Sequence, residues 1–84
     1  MTDQAENNSP QVILYTRQGC HLCDEAQSTL RSHGLVPQMV DVDQDDNLKA
    51  RFDTCVPVVE INGKVRFRGR VDEVLLRRLL RGLQ

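Results

Sequence analysis

Tryptophan is absent, and the aromatic side chains are those of Tyr15, Phe52 and Phe67 alone. Proteins that grip nucleic acid draw on a strongly basic surface, and those that take single strands add aromatic platforms for the bases. Here eleven basic side chains stand against twelve acidic ones, so nucleic acid is not an expected partner. Long apolar runs are also missing. Met1 to Pro10 is polar, with neither a basic start nor an apolar stretch, so no signal peptide and no membrane span are expected. That segment reads as a disordered leader (1–10), followed by one domain over 11–84 that is expected to be a monomer in the cytoplasm. A lasting structural disulfide is disfavoured in that compartment. The three cysteines, Cys20, Cys23 and Cys55, are therefore expected to be redox-active, metal-binding or buried. Zinc requires four ligands; no second C-x-x-C exists, and Cys55, His21 and His33 lack ligand spacing, so no metal is expected.

What the chain does contain is Cys20-His21-Leu22-Cys23, set between the apolar run Val12-Ile13-Leu14-Tyr15 and a helix-patterned segment opening with Asp24-Glu25-Ala26. Two thiols at this spacing can close a disulfide. With Cys20 at the mouth of a helix, unsatisfied N–H groups and the positive end of the dipole favour its thiolate, the reactive form. Cys23, one turn further in, can then attack a mixed disulfide and release a reduced product. His21 either supports the Cys20 thiolate through a partly protonated ring or is a solvent-facing side chain without a role. Cys55 is read as a small buried residue in preference to a third redox partner.

Val12 to Thr16 has the length and continuous apolarity of a strand buried on both faces. A helix from about His21 to Ser32 follows, ended by His33-Gly34, with His33 complementing the dipole at the surface. Pro37 to Asp43 is a second strand, parallel to the first because a helix lies between them. The cluster Asp41, Asp43, Asp45, Asp46 resembles the start of a calcium loop, but Asp46 stands where glycine is needed and Phe52 where a glutamate is needed. It is better read as a strand end and the cap of a short helix, about Asp45 to Phe52. Cys55 to Ile61 is a third strand, Asn62-Gly63 a hairpin turn, and Lys64 to Arg68 the return strand with Val65 and Phe67 inward. A last helix, Val71 to Gly82, places Val71, Val74, Leu75 and Leu79, and Leu76, Leu80 and Leu83, at helical spacing, with Arg77, Arg78 and Arg81 on a solvated face. The expected order, β-α-β-α-β-β-α, is an α/β fold of the thioredoxin type, a four-stranded mixed sheet flanked by helices.

Tyr15-Thr16-Arg17, Gly19 to Ala26, Cys55 to Lys64 and Gly69-Arg70-Val71-Asp72 together resemble a glutaredoxin, over nearly the whole chain after Pro10. The likeness is to the small dithiol glutaredoxin-like branch. It implies that Cys20 is the exposed nucleophile and Cys23 the partly buried resolving thiol. It implies a cis Pro57, with the Val56 backbone pairing an extended peptide or glutathione. Arg17 stands where such proteins carry a cation for a glutathione carboxylate, and Asp72 where they carry an acid for the γ-glutamyl end. Three places depart from the pattern. Cys55 stands where a Thr often precedes Val56. His21-Leu22 replaces Pro-Tyr and removes an aromatic wall, and Gly69-Arg70 replaces Gly-Gly. Arg70 there either obstructs glutathione or holds a carboxylate on another substrate.

The expected activity is reduction of a disulfide-containing protein or a glutathionylated substrate through the Cys20/Cys23 dithiol. Recharging would come from glutathione or a thioredoxin-reductase-type donor, with no bound cofactor and glutathione as a possible co-substrate. Two rivals belong to other classes. One is an iron–sulfur or metal carrier; the other is a thioredoxin-fold binding module without catalysis.

Overall fold

The computed structural model describes residues 10–52 and 56–82. The leader expected over 1–10, apart from Pro10, lies outside the described residues, as do Cys55 and Leu83. Four strands and three helices follow the expected order: β1 (Val12–Thr16), α1 (His21–Ser32), β2 (Gln38–Asp41), α2 (Asp46–Phe52), β3 (Val58–Ile61), β4 (Lys64–Arg68) and α3 (Glu73–Gly82). No helix among the described residues is long and apolar enough to cross a membrane.

The sheet runs β2-β1-β3-β4. β1 pairs with β2 in parallel and with β3 antiparallel, and β4 returns antiparallel along β3. Because alternate residues of a strand point to opposite faces, the apolar run of β1 feeds two cores. Val12 and Leu14 join Ala26, Leu30, Val59, Ile61, Phe67 and Leu76 beneath α1 and α3. Tyr15 joins Val42, Phe52 and Val58 on the other face, beneath α2. There the Tyr15 hydroxyl donates to Glu60 Oε1 at 2.6 Å, and the Tyr15 ring lies 4.8 Å from that of Phe52.

α1 begins and ends where the sequence places it. Gly34, at φ +81°, donates to Arg31 O, and Leu35 donates to Leu30 O, a paired closure that needs a residue in the left-handed region. The hairpin turn likewise has Asn62 and Gly63 both at positive φ, as a two-residue turn between twisted strands requires.

Five expectations are corrected. The second strand, expected over Pro37 to Asp43, stops at Asp41, because Asp41 Oδ1 accepts the Asp43 N–H at 2.9 Å and starts a 3-10 turn over Val42–Gln44 that buries Val42. The third strand begins at Val58, not Cys55; Pro57 has no N–H for the ladder, and its carbonyl accepts instead from Gly69 N at 2.7 Å. In β4, Val65 and Phe67 face opposite sides of the sheet. Val59 pairs with Phe67 and Glu60 with Val65, so Arg66 is an extra residue in a bulge. His33 is less exposed than expected of a solvated surface residue: its side chain is 17 % exposed and its Nε2 lies 3.1 Å from Glu73 Oε1, joining the end of α1 to the start of α3. Finally, the last helix starts at Glu73. Asp72 precedes it as cap, its Oδ1 accepting from the N–H groups of Val74 and Leu75 at 2.9 and 3.2 Å. Only Leu76 is fully buried on α3, with Leu79 and Leu80 packed against the core, whereas Val74 and Leu75 are half exposed.

The cap at Asp72 sets a stability test. Asp72→Ala should lower the unfolding free energy by about 1 kcal/mol in urea denaturation, while Asp72→Asn, which keeps an acceptor, should fall by much less. Equal losses in the two variants would show that capping is not what Asp72 contributes.

Candidate redox site

The inward stripe of α1 is Cys23, Ala26 and Leu30, all buried. Extended one turn towards the N-terminus, that stripe reaches Cys20, which lies just outside the helix as its cap, with φ −94° and ψ 108°. The same periodicity that buries Cys23, at 1 % exposure, therefore brings Cys20 out to a half-buried position. Both thiols are free. The Cys23 N–H donates to Cys20 Sγ at 3.1 Å, and Asp24 N–H donates to the Cys20 carbonyl at 3.2 Å.

The two sulfurs do not share one environment. Burial foremost pushes the Cys23 thiol above its ordinary value of 9.0, and a hydrogen bond with Cys20 acts in the same direction. The Thr16 side chain and the Arg17 backbone oppose both, less strongly. Cys23 is thus a protonated thiol at neutral pH, waiting behind a more accessible partner.

Two grooves, each of about 310 Å³, are lined by residues next to the pair in the chain, Leu22 in one and Gly19 and Asp24 in the other. One lies between α1 and the approach to α3, lined by Leu22, Glu25, Ala26, Thr29, Gly69, Arg70, Val71 and Glu73. The other surrounds the β1–α1 turn, with Arg17, Gly19, Asp24, Met39 and Asp41 among its walls. Leu22 and Arg70 are thus brought together in the first groove. His21 is exposed in the first turn of α1, and no described contact of its ring bears on Cys20.

Val56 and Pro57 are joined by a cis peptide bond; Pro57 is buried and Val56 half-buried. Tyr15 pairs with Val58, so the Val56-Pro57 segment enters the sheet at the end where β1 delivers the chain to Cys20. The bond from Gly69 N–H to the Pro57 carbonyl then fixes Gly69-Arg70 beside that segment. Arg70 itself is exposed and has no hydrogen-bond or ion-pair partner among the described residues.

Arg17 and Asp72 are engaged within the chain. The Arg17 guanidinium meets Asp43 in a two-pronged ion pair, Nε to Oδ2 at 3.0 Å and Nη2 to Oδ1 at 3.1 Å. Asp72 turns its carboxylate onto its own helix. Reading the sequence missed Asp43 as the partner of Arg17, and it also missed Thr16, Glu25, Thr29 and Glu73. For Asp43 a signal existed: parallel pairing of β1 with β2 sets Thr16 opposite Asp41, which brings the residues just beyond them into range. Among the described residues no three His, Cys, Asp or Glu side chains converge as a metal site would require.

This sheet order, with a dithiol at the start of the helix after β1, defines the thioredoxin fold. Residues 11–81 match the Glutaredoxin-like domain family (DUF836), and the chain belongs to that family. Among solved structures it is similar to the structural-genomics target protein XcR50 from X. campestris, with 30 % identity over 84 % of this chain and 96 % of that one and a TM-score of 0.71. It also matches Fasciola hepatica thioredoxin in fold, at 21 % identity over 94 % of this chain and 86 % of that one, with a TM-score of 0.61.

The raised Cys23 value carries a pH consequence. The folded protein holds this proton more tightly than the unfolded chain, so the contribution is complete below the ordinary thiol value of 9.0 and is lost as pH climbs through the higher folded value. The unfolding free energy of the reduced protein should therefore fall with pH above about 9, and Cys23→Ala should make that slope shallower. Tyr15, whose hydroxyl is raised by its bond to Glu60, adds a decline of the same sign at higher pH in both proteins. Identical slopes for the two proteins would count against burial as the source of the shift.

Proposed function

We propose that this protein is a dithiol–disulfide oxidoreductase that reduces disulfides in other proteins. The observation that carries the reading is the asymmetry of the pair: a half-buried Cys20 whose sulfur receives a helix N–H, with a buried protonated thiol one turn behind it. A thiolate at Cys20 accepts that N–H as a charge-assisted hydrogen bond. It attacks one sulfur of the substrate disulfide, forming a Cys20–substrate bond while the other substrate sulfur leaves as thiolate and takes a proton. Cys23 then gives up its proton and attacks Cys20 Sγ. The Cys20–Cys23 bond forms, the mixed disulfide breaks, and two electrons have passed to the substrate.

Protein disulfides are favoured over glutathione by what the two expected glutathione contacts are doing. Arg17 is paired with Asp43, and the Asp72 carboxylate caps α3, so both would have to be displaced. An extended substrate segment would lie along Val56-Pro57 and set a side chain against Leu22 or Arg70. Glutathione or a thioredoxin-reductase-type donor would reopen the Cys20–Cys23 bond, in the cytoplasm, with the protein acting as a monomer.

Insulin reduction should fall by roughly a thousandfold or more in Cys20→Ser. Cys23→Ser should instead form a mixed disulfide with the substrate that is visible by mass spectrometry and resolves slowly. Activity surviving in Cys20→Ser would remove that residue as the nucleophile and the proposal with it.

A further inference from the structure

The near-neutral total charge conceals a separation along the chain. Seven of the eleven basic residues lie between Lys64 and Arg81, accompanied there by only two of the twelve acidic ones, Asp72 and Glu73. This stretch forms edge strand β4 and helix α3. On α3, burial of Leu76 with Leu79 and Leu80 sets the inward direction. At 3.6 residues per turn the opposite direction carries Val74, Arg78 and Arg81, with Leu75 and Arg77 on its flanks. All five are exposed, Val74 and Leu75 to 52 % and 51 %.

Two features separate this stripe from an ordinary solvated helix face. None of Arg77, Arg78 and Arg81 has a hydrogen-bond or ion-pair partner among the described residues. Glu73, spaced to meet Arg77, is turned to His33 instead. Like charges at i,i+3 and i,i+4 weaken a helix, and the dipole offsets this only in the last turn, where Arg81 stands. Further, two apolar side chains share the stripe with the cations, and the fold gains nothing from their exposure. Surfaces that combine apolar contact with unpaired arginine suit a protein partner.

We infer that the outward stripe of α3, formed by Val74, Leu75, Arg77, Arg78 and Arg81, is a docking face for an acidic protein segment carrying apolar residues between its carboxylates. A polyanion such as nucleic acid is the weaker occupant. The remainder of the chain holds ten carboxylates against four cations and opposes an extended negative partner at long range. α3 also starts at the groove wall, since Glu73 lines it together with Leu22. A partner on this face therefore reaches, at the start of α3, the groove lined by Leu22, the residue before Cys23. Its role as a redox partner rests on the proposed function, whereas the docking does not.

The test uses the full reduced chain and two synthetic peptides in which leucine alternates either with aspartate or with lysine. With the aspartate peptide, amide NMR shifts should concentrate at 74–82, and affinity should drop at least roughly tenfold in the triple variant Arg77→Gln/Arg78→Gln/Arg81→Gln. Glutamine keeps helix propensity, so folding is preserved. Val74→Gln/Leu75→Gln should weaken the binding that persists in high salt. Equal binding of the lysine peptide, shifts elsewhere, or indifference to the triple variant would overturn the inference. So would tighter binding of a single-stranded oligonucleotide at the same amides, or self-association in sedimentation that the triple variant abolishes. Reduction of a small uncharged disulfide should be unchanged in the triple variant, while a disulfide set within the aspartate peptide should lose roughly tenfold in kcat/KM. Failure of the wild type on the small disulfide would sink the redox reading and leave the binding result to stand separately.

Discussion

An α-helix opens with N–H groups that have no partner inside the helix, and in α1 one of these, from Cys23, is aimed at the sulfur of Cys20. Oxygen-bearing side chains are the usual occupants of this position, because a neutral thiol is a weak acceptor. A thiolate is a better one, since a charged acceptor strengthens the bond. In α1 the first turn is thus closed by a sulfur where an oxygen is usual, at the residue that also opens the C-x-x-C pair. A weak cap also places more of the work of holding α1 on its other end and on its buried stripe, where Leu35 N–H closes onto Leu30 and both side chains join the core.

The difference between the two thiols is a consequence of helical periodicity and not of any special residue around them. Cys23, Ala26 and Leu30 occupy the face that packs on the sheet. A residue three positions before Cys23 lies on the same line but beyond the helix, where the stripe emerges from the core. Removing Ala26 or Leu30 from that face would disturb which cysteine is sealed. The short helix α2 serves the opposite side of the sheet in a similar way, burying Phe52 against Tyr15 and Val58 and leaving the dithiol end uncovered.

Much of the architecture could be read from the chain, and what escaped has identifiable causes. β1, α1 and the Asn62-Gly63 turn were evident because apolar runs, helical spacing and turn chemistry all act within a few residues. The bulge at Arg66 was not, because simple alternation in Lys64 to Arg68 is satisfied equally by a regular strand; only pairing with Glu60 and Val59 separates Val65 from Phe67. The early end of β2 turned on a single carboxylate choosing the Asp43 N–H over the ladder. In α3, Val74 and Leu75 looked like core because periodicity cannot say how wide the buried stripe is. At the site, the spacing of Cys20 and Cys23 marked the pair, while the engagement of Arg17 by Asp43 depends on strand pairing that joins residues twenty-six positions apart.

Three of the four acidic residues that resemble the start of a calcium loop, and Asp72 as well, are occupied by the chain's own donors. Asp41 starts the 3-10 turn, Asp45 caps α2 through the N–H groups of Asn47 and Leu48, Asp43 holds Arg17, and Asp72 caps α3. Helix starts take a short acceptor side chain, here an aspartate at α2 and α3, and have no use for a guanidinium, so these caps engage negative charge. Arginines on β4 and α3 have no such partner among the described residues. A net charge near zero then describes the composition but not the surface that a partner meets. The β4–α3 side therefore presents cations that have no partner among the described residues, while the carboxylates on the Arg17 side and at the helix starts are already engaged.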